Sequence, residues 1–288
     1  MRQSLGATPI ALTIAGSDSS GGAGIQADLK TFAALGVYGA SAITALTAQN
    51  TRGVQAVEAI KPEFVVAQLD SVLSDLDVVA IKTGMLANKA IVSAVAGRLR
   101  AAANGGLRAS LIVDPVMVAT SGDVLLAEDA IAAIMTELAP LATLLTPNLA
   151  EAAKLLDAEM AKTEAAAAGQ ARTLSTRLGC PVLVKGGHGP GDSVVDLLDD
   201  GSNLVRFARP RIATHHTHGT GCVLSAAAAA LLARGMDLLG AVAGAKAFVW
   251  QGLQAGRTLG IGQGSGPVDC LFAIRDQPMP IGNGGPQP

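Results

Sequence analysis

The six residues Thr217-His218-Gly219-Thr220-Gly221-Cys222 run straight into Val223-Leu224-Ser225 and the alanines Ala226 to Ala230. Alanine is the strongest helix former, and a helix that is apolar on every side is a buried one. A glycine-punctuated loop therefore feeds the N-terminus of a buried helix. Such a terminus carries backbone N–H groups without helical partners, all pointing one way, beside the positive end of the helix dipole. Together they suit an anion. Gly219 and Gly221 have no Cβ and let a ligand come close to the backbone. Cys222 falls in the first turn, where a helix N-terminus favours thiolate. One reading is a phosphate site with a thiolate base beside it. The other is a glycine-rich helix start with a buried cysteine.

A helix buried on all sides needs a sheet to pack against, and the chain supplies strands at regular intervals. Ile10 to Ala15 reads as a buried strand. The small-residue loop Gly16 to Gly24 follows, then a helix over Ile25 to Phe32 that Gly36 stops. That loop is neither a Walker A loop nor a G-x-G-x-x-G fingerprint nor a G-x-S-x-G elbow. It would lie at the carboxyl end of a strand, where open α/β sheets bind ligands. Further strands are expected over Ser41–Gln49, Val78–Lys82, Leu111–Asp114, Leu144–Thr146 and Pro181–Lys185. Helices are expected over Pro62–Ser74, Lys89–Ala103, Glu128–Leu138, a stretch holding Glu151, Glu164–Leu178 and Asp237–Thr258. Val194–Leu198 and Asn203–Ala208 flank the turn Asp199-Asp200-Gly201-Ser202 as a β-hairpin. This alternation, without internal repeat or linker, predicts an α/β fold: one domain over residues 1–275, with a mostly parallel central sheet, helices on both faces and a small antiparallel part. The Pro/Gly-rich tail, residues 276–288, reads as disordered.

The residues that carry chemistry cluster at strand ends, and each has a plainer reading. Asp114 suits the magnesium side of a nucleotide site, or a loop cap. Asn148 and Glu151 have the spacing of a capping box. Lys185 is unfavourable at a buried strand end unless a negative charge meets it. Gln49-Asn50 is a ligand contact or a turn signal. His215, His216 and His218 stand close together, but no neighbouring carboxylate completes a zinc tetrahedron. Asp192 and Asp196 read as solvated turn residues, Cys180 as inert, and Cys270 has no assigned role.

Net charge and cysteine usage bound the partners. A net charge of −2 leaves no basic face for nucleic acid or an anionic membrane. Three scattered cysteines without a C-x-x-C pair point to a reducing cytoplasm. The apolar run Ile10–Ala15 is too short for a signal peptide or a membrane span.

Taken together, Ala15 to Asp28, Ala45 to Asn50, Lys82 to Leu86, Asp114-Pro115-Val116-Met117, Thr146 to Ala152, Val184 to His188, Thr217 to Cys222 and Gly262 to Val268 resemble, in order, the motifs of hydroxymethylpyrimidine/phosphomethylpyrimidine kinases. The resemblance runs over about residues 10 to 270. It implies a ribokinase-like fold and a commonly dimeric cytosolic enzyme. It also implies Mg2+–ATP-dependent phosphorylation of 4-amino-5-hydroxymethyl-2-methylpyrimidine, then of its monophosphate, in thiamine biosynthesis. By the same resemblance Gly16, Asp28, Gln49, Met85, Val116 and Cys222 would surround the pyrimidine. Asn148, Glu151, Lys185, Thr217 and the loop Gly219-Thr220-Gly221 would serve ATP, with Asp114 and Glu151 on the Mg2+ side and Cys222 as base. Thr47 stands where a small apolar residue is expected beside Gln49, and Asp269-Cys270 where the family often carries His. A pyridoxal kinase of the same superfamily and a pyrimidine sensor that no longer phosphorylates are the competing readings. The intact Gly219–Cys222 loop speaks against the sensor.

Overall fold

The computed structural model describes residues 8–117, 127–187, 189 and 191–275. Nine strands form one sheet: β1 Ile10–Asp18, β2 Tyr38–Asn50, β3 Gly53–Ala59, β4 Val78–Thr83, β5 Ser110–Val113, β6 Leu144–Leu145, β7 Val182–Val184, β8 Ser193–Asp199 and β9 Leu204–Pro210. Their spatial order is β3-β2-β1-β4-β5-β6-β7-β8-β9. The pairs from β2 through β7 are parallel, whereas β3 on one edge and β8–β9 on the other run antiparallel. β1 pairs with both β2 and β4, so the chain leaves β1 toward one edge and returns on its other side. That reversal opens a crevice at the carboxyl ends of β1 and β4.

Helices cover both faces. α1 (Gly24–Ala34), α7 (Thr220–Ala233) and α8 (Leu238–Gly256) pack on one. α2 (Pro62–Leu73), α3 (Lys89–Asn104), α4 (Glu128–Ala133), α5 (Leu149–Leu156) and α6 (Glu164–Leu178) contribute to the core on the other. Spacing explains the second set: Val65 and Leu69, or Ile91, Val95 and Leu99, fall on one helical stripe and are buried. α7 differs. Ala226 to Ala230 are all fully buried, which lets this helix lie against β1, β4 and β5 while α1 and α8 close over it. The sheet thereby carries the N-terminus of α7 to the crevice.

Two elements depart from the expected pattern. β3 extends β2 into a hairpin at the free edge; most of its residues are exposed, so no buried alternation announces it. The helix expected through Leu138 widens into a π-turn at Ile134–Leu138 and a 3-10 turn at Ala139–Leu141, with Pro140 inside it. The 276–288 tail and His188 lie outside the described residues.

Candidate active site

A cavity of about 730 Å3 occupies the crevice. Of the expected site residues, Gly16, Gln49, Met85, Val116, Asp114, Asn148, Glu151, Lys185, Thr217, Gly219, Thr220, Gly221 and Cys222 all line it. The strand ends of β1, β2 and β4 supply one end, with Gly16, Gln49 and Met85. The segments after β6 and β7 supply the other, with Asn148, Glu151 and Lys185. The loop Gly219–Cys222 lies between them.

α7 starts at Thr220, with Gly219 as its cap at φ +79°. The Thr220 N–H turns back to the Thr217 carbonyl (3.2 Å), and the helical ladder begins with Val223 N–H on Gly219 O (2.9 Å). The N–H groups of Gly221 and Cys222 have no partner among the described residues. These are the unpaired donors expected of an anion site. The two glycines serve differently from the expectation. A Cβ on Gly219 would overlap the Gly22 carbonyl, so that glycine permits loop-on-loop packing as well as the positive φ. A Cβ on Gly221 would sit 3.2 Å from Lys185 Nζ and 3.8 Å from an Asp114 oxygen, so this glycine keeps the charged cluster open.

Lys185 meets the negative charge its burial requires: Nζ lies 2.8 Å from Asp114 Oδ1. Ser225 donates to Asp114 Oδ2 at 3.0 Å. Burial alone would raise the Asp114 carboxyl, but Lys185 and Lys82 overcome it and hold it below the carboxylate range. Burial alone would lower Lys185, and Asp114 with Glu151 reverse that. Glu151 forms the expected capping box, accepting from Asn148 N–H at 2.7 Å while Asn148 accepts from Glu151 N–H at 2.9 Å. The box does not exhaust it. Burial pushes its carboxyl up to about 7, with Asp114 adding to the rise and Lys185 opposing it. Among the described residues no three His, Cys, Asp or Glu side chains group around a metal position. Two buried carboxylates beside a lysine do fit Mg2+, which typically takes one or two protein carboxylates and completes its shell with phosphates and water.

Cys222 departs from the low-pKa thiol its helix position predicts. Burial pushes the thiol up to about 11; Lys82 opposes the rise, Asp28 and Asp114 add to it, and a hydrogen bond from the Gly24 backbone works against it. The loss of water around the sulfur outweighs the helix terminus. Asp28 departs further. It is fully buried and does not line the cavity. Lys82 Nζ holds both its oxygens, at 2.9 and 2.8 Å, and Thr13 donates to it at 2.6 Å. Burial raises the Asp28 carboxyl against the pull of Lys82. Lys82 itself stays charged, because Asp28 first, then Cys222 and Asp114, overcome its burial. Asp28 therefore holds Lys82, which itself lines the cavity.

Sequence reasoning passed over Asp18. Its carboxylate accepts from Ser20 N–H and Oγ (both 2.8 Å), from the N–H groups of Gly22 (3.0 Å) and Ala23 (2.8 Å), and from His218 Nε2 (2.8 Å). Burial would raise this carboxyl; the bonds from His218 and Ser20 prevail and hold it far below the carboxylate range. The signal was an Asp followed by small residues, whose turn N–H groups an Asp side chain collects. Because that carboxylate only accepts, His218 carries its proton on Nε2. The Gln49 amide lies 3.5 Å from the same nitrogen and 3.0 Å from Thr47 Oγ1, which donates to Ser17 O at 2.9 Å. A consistent network then turns Gln49 Nε2 toward Thr47 and its Oε1 toward His218.

Asp196 is likewise not solvated. It is buried, accepts from Gly186 N–H at 2.9 Å and pairs with Lys246 at 2.7 Å. A single lysine in the otherwise uncharged α8 was the available signal. Nearby, the Arg209 guanidinium lies 5.9 Å from the Trp250 ring centroid, and Trp250 Nε1 donates to Pro210 O at 2.9 Å. Asp192, by contrast, is exposed as expected, and Cys180 is buried.

A family model described as phosphomethylpyrimidine kinase matches residues 18–269. The chain is 57% identical over 261 residues to a hydroxymethylpyrimidine/phosphomethylpyrimidine kinase of Rhizobium meliloti, covering 91% of this chain and 96% of that protein. It is 52% identical over 264 residues to the protein of the same name from Escherichia coli, covering 91% and 97%. Among solved structures it resembles the pyridoxal kinase of Staphylococcus aureus in complex with AMP-PCP and pyridoxal, with TM-score 0.84, 34% identity and coverage of 94% and 97%. It also resembles a phosphomethylpyrimidine kinase of Clostridium difficile, with TM-score 0.72, 37% identity and coverage of 84% and 98%.

Proposed function

The chain belongs to the phosphomethylpyrimidine kinase family, and from that premise we propose how its residues divide the work. The protein phosphorylates 4-amino-5-hydroxymethyl-2-methylpyrimidine and then its monophosphate, with ATP as donor, in thiamine biosynthesis. One observation carries the assignment of parts. The unpaired N–H groups of Gly221 and Cys222, with Lys185 beside them, sit between two ends of one cavity. One end is partly apolar, with Gly16, Met85, Val116 and the Gln49 amide. We assign the pyrimidine to it. Gln49 Oε1 suits the amino group of the ring. The other end, with Asn148, Glu151, Lys185 and Thr217, takes the nucleotide.

Phosphoryl transfer depends on positioning and on stabilising charge more than on covalent chemistry. Lys185 and the unpaired N–H groups of Gly221 and Cys222 meet charge as it moves toward the leaving phosphate. Asp114 and Glu151 would hold Mg2+, whose chemistry there is to neutralise phosphate charge. Cys222 accepts the hydroxyl proton, and the Lys82 ammonium favours the thiolate that must form. ADP release that depends on added pyrimidine tests this reading; pyrimidine binding without ADP release would favour a sensor.

Gln49→Ala should weaken pyrimidine binding by about 1–3 kcal/mol through the lost hydrogen bond, with little change for ATP. Calorimetric titration of each ligand checks it, and equal losses would make Gln49 a support of the fold.

Glu151 makes stability depend on pH. Its folded pKa lies above its unfolded value near 4.5, so its contribution is fully present below that pH and is lost as pH rises through about 7. Glu151→Gln should flatten the fall in melting temperature of the ligand-free protein across that window. An unchanged slope would mean that Glu151 is not the titrating group.

We read residues 1–275 as one kinase domain, since a single sheet takes every strand from β1 to β9. We also propose a cytoplasmic homodimer. Three free cysteines support the compartment. The exposed Tyr38, Leu46 and Val57 on β2 and β3 support the second copy, and molar mass in solution for Leu46→Glu against the parent tests it.

A further inference from the structure

We propose that His218 is a positioning residue: by clamping Asp18, it locks the phosphate-binding loop onto the loop that walls the pyrimidine end, and so sets the distance over which the phosphoryl group passes. The assignment of the two cavity ends rests on the function proposed above; the clamp itself rests on geometry alone.

Asp18 and His218 are 200 residues apart, and both are buried, at 2% and 6% exposure. Asp18 ends β1 and gathers the N–H groups of Ser20, Gly22 and Ala23, so its carboxylate shapes the whole turn into α1. Its backbone N–H is held in turn by Gln26 Oε1 at 2.9 Å. His218 immediately precedes Gly219, the cap of α7. Its backbone is also held on both sides, with its N–H on Gly266 O (3.1 Å) and its carbonyl accepting from Val268 N–H (3.2 Å). The bond to Asp18 therefore ties a backbone already fixed on both sides to the turn after β1. Beside it the two glycine loops touch backbone to backbone, Gly219 against the Gly22 carbonyl, in a space that no Cβ would fit. A misplacement of about 1 Å in such a constellation can lower the rate about 10²-fold. His218 has no step in the transfer itself; it acts through Asp18.

The test compares two amides. Glutamine can place its Nε2 near the position of the imidazole Nε2 and keep a donor to Asp18. Asparagine is too short, and its amide falls nearer the Nδ1 position. His218→Asn should lower kcat about 10- to 100-fold, with KM for pyrimidine and for ATP within about threefold of the parent, and His218→Gln should recover most of the loss. Asp18→Asn, which turns an acceptor into a donor facing the turn N–H groups, should resemble His218→Asn. Amide hydrogen exchange gives a readout that does not need turnover. The hydrogen-bonded amides of Ser20 to Ala23 and those of His218 and Thr220 should lose protection together in His218→Asn and keep it in His218→Gln. If Gln and Asn variants match each other in both kcat and exchange, the clamp is overturned. A parent without pyrimidine turnover would overturn the functional reading, while the exchange experiment still decides the clamp.

Discussion

Cys222→Ala should lower turnover about 10²–10⁴-fold, the range for losing a positioned base. The fold should survive, because alanine suits the first turn of α7 and the neighbouring Lys82–Asp28 pair holds itself together. The pH dependence distinguishes a base from a packing role. The thiol of the free enzyme sits near 11, so kcat/KM, which reports the free enzyme, should climb with pH toward that value. Alkylation of Cys222 by iodoacetamide should follow the same curve and be slowed by bound pyrimidine. Burial at the helix terminus thus reverses the sequence expectation of fast alkylation well below an ordinary thiol pKa of about 8.5. Cys222→Asp should recover part of the rate and move the rising limb to the acid side, because a carboxylate is already ionised there. If Cys222→Ala works at near the parent rate, Lys185 and the anion loop carry the chemistry without a side-chain base.

Lys185→Ala should lower turnover about 10²–10³-fold, comparable to removing one donor from a charge-stabilising site. The effect should fall on kcat more than on KM for ATP, because the ammonium matters most when charge shifts toward the leaving phosphate. The substitution also removes the Lys185 charge that lowers both the Asp114 and the Glu151 carboxyls, so both rise. The Mg2+ concentration needed for half-maximal rate should therefore change with it. Steady-state kinetics at saturating ATP over a Mg2+ series checks both points. A variant with the parent kcat and only weaker ATP binding would make Lys185 a binding residue alone.

Much of this site was legible because the motifs sit where strands end and helices begin, and those boundaries follow from hydrophobic period, glycine stops and caps. Lys185 is an example: a lysine ending an apolar run demands a counter-charge, and Asp114, ending another, supplies it. The Asn148–Glu151 box was equally readable from spacing. What was not legible depended on distance across the fold. Nothing local shows that Asp28 meets Lys82 fifty-four residues away, or that Asp18 meets His218. Nor does a helix N-terminus show how much water its first turn will lose, and that loss decides the Cys222 thiol. β3 escaped because an exposed edge strand is specified by its partner more than by its own pattern.

The central claim is that one cavity delivers the phosphoryl group of ATP to a pyrimidine twice. Mass spectrometry of the products tests it most directly, with the protein incubated with Mg2+ and ATP and either 4-amino-5-hydroxymethyl-2-methylpyrimidine or pyridoxal. A pyrimidine monophosphate should rise and then give way to the diphosphate, with one ADP formed per phosphoryl group transferred. Phosphorylated pyridoxal together with an unmodified pyrimidine would contradict it.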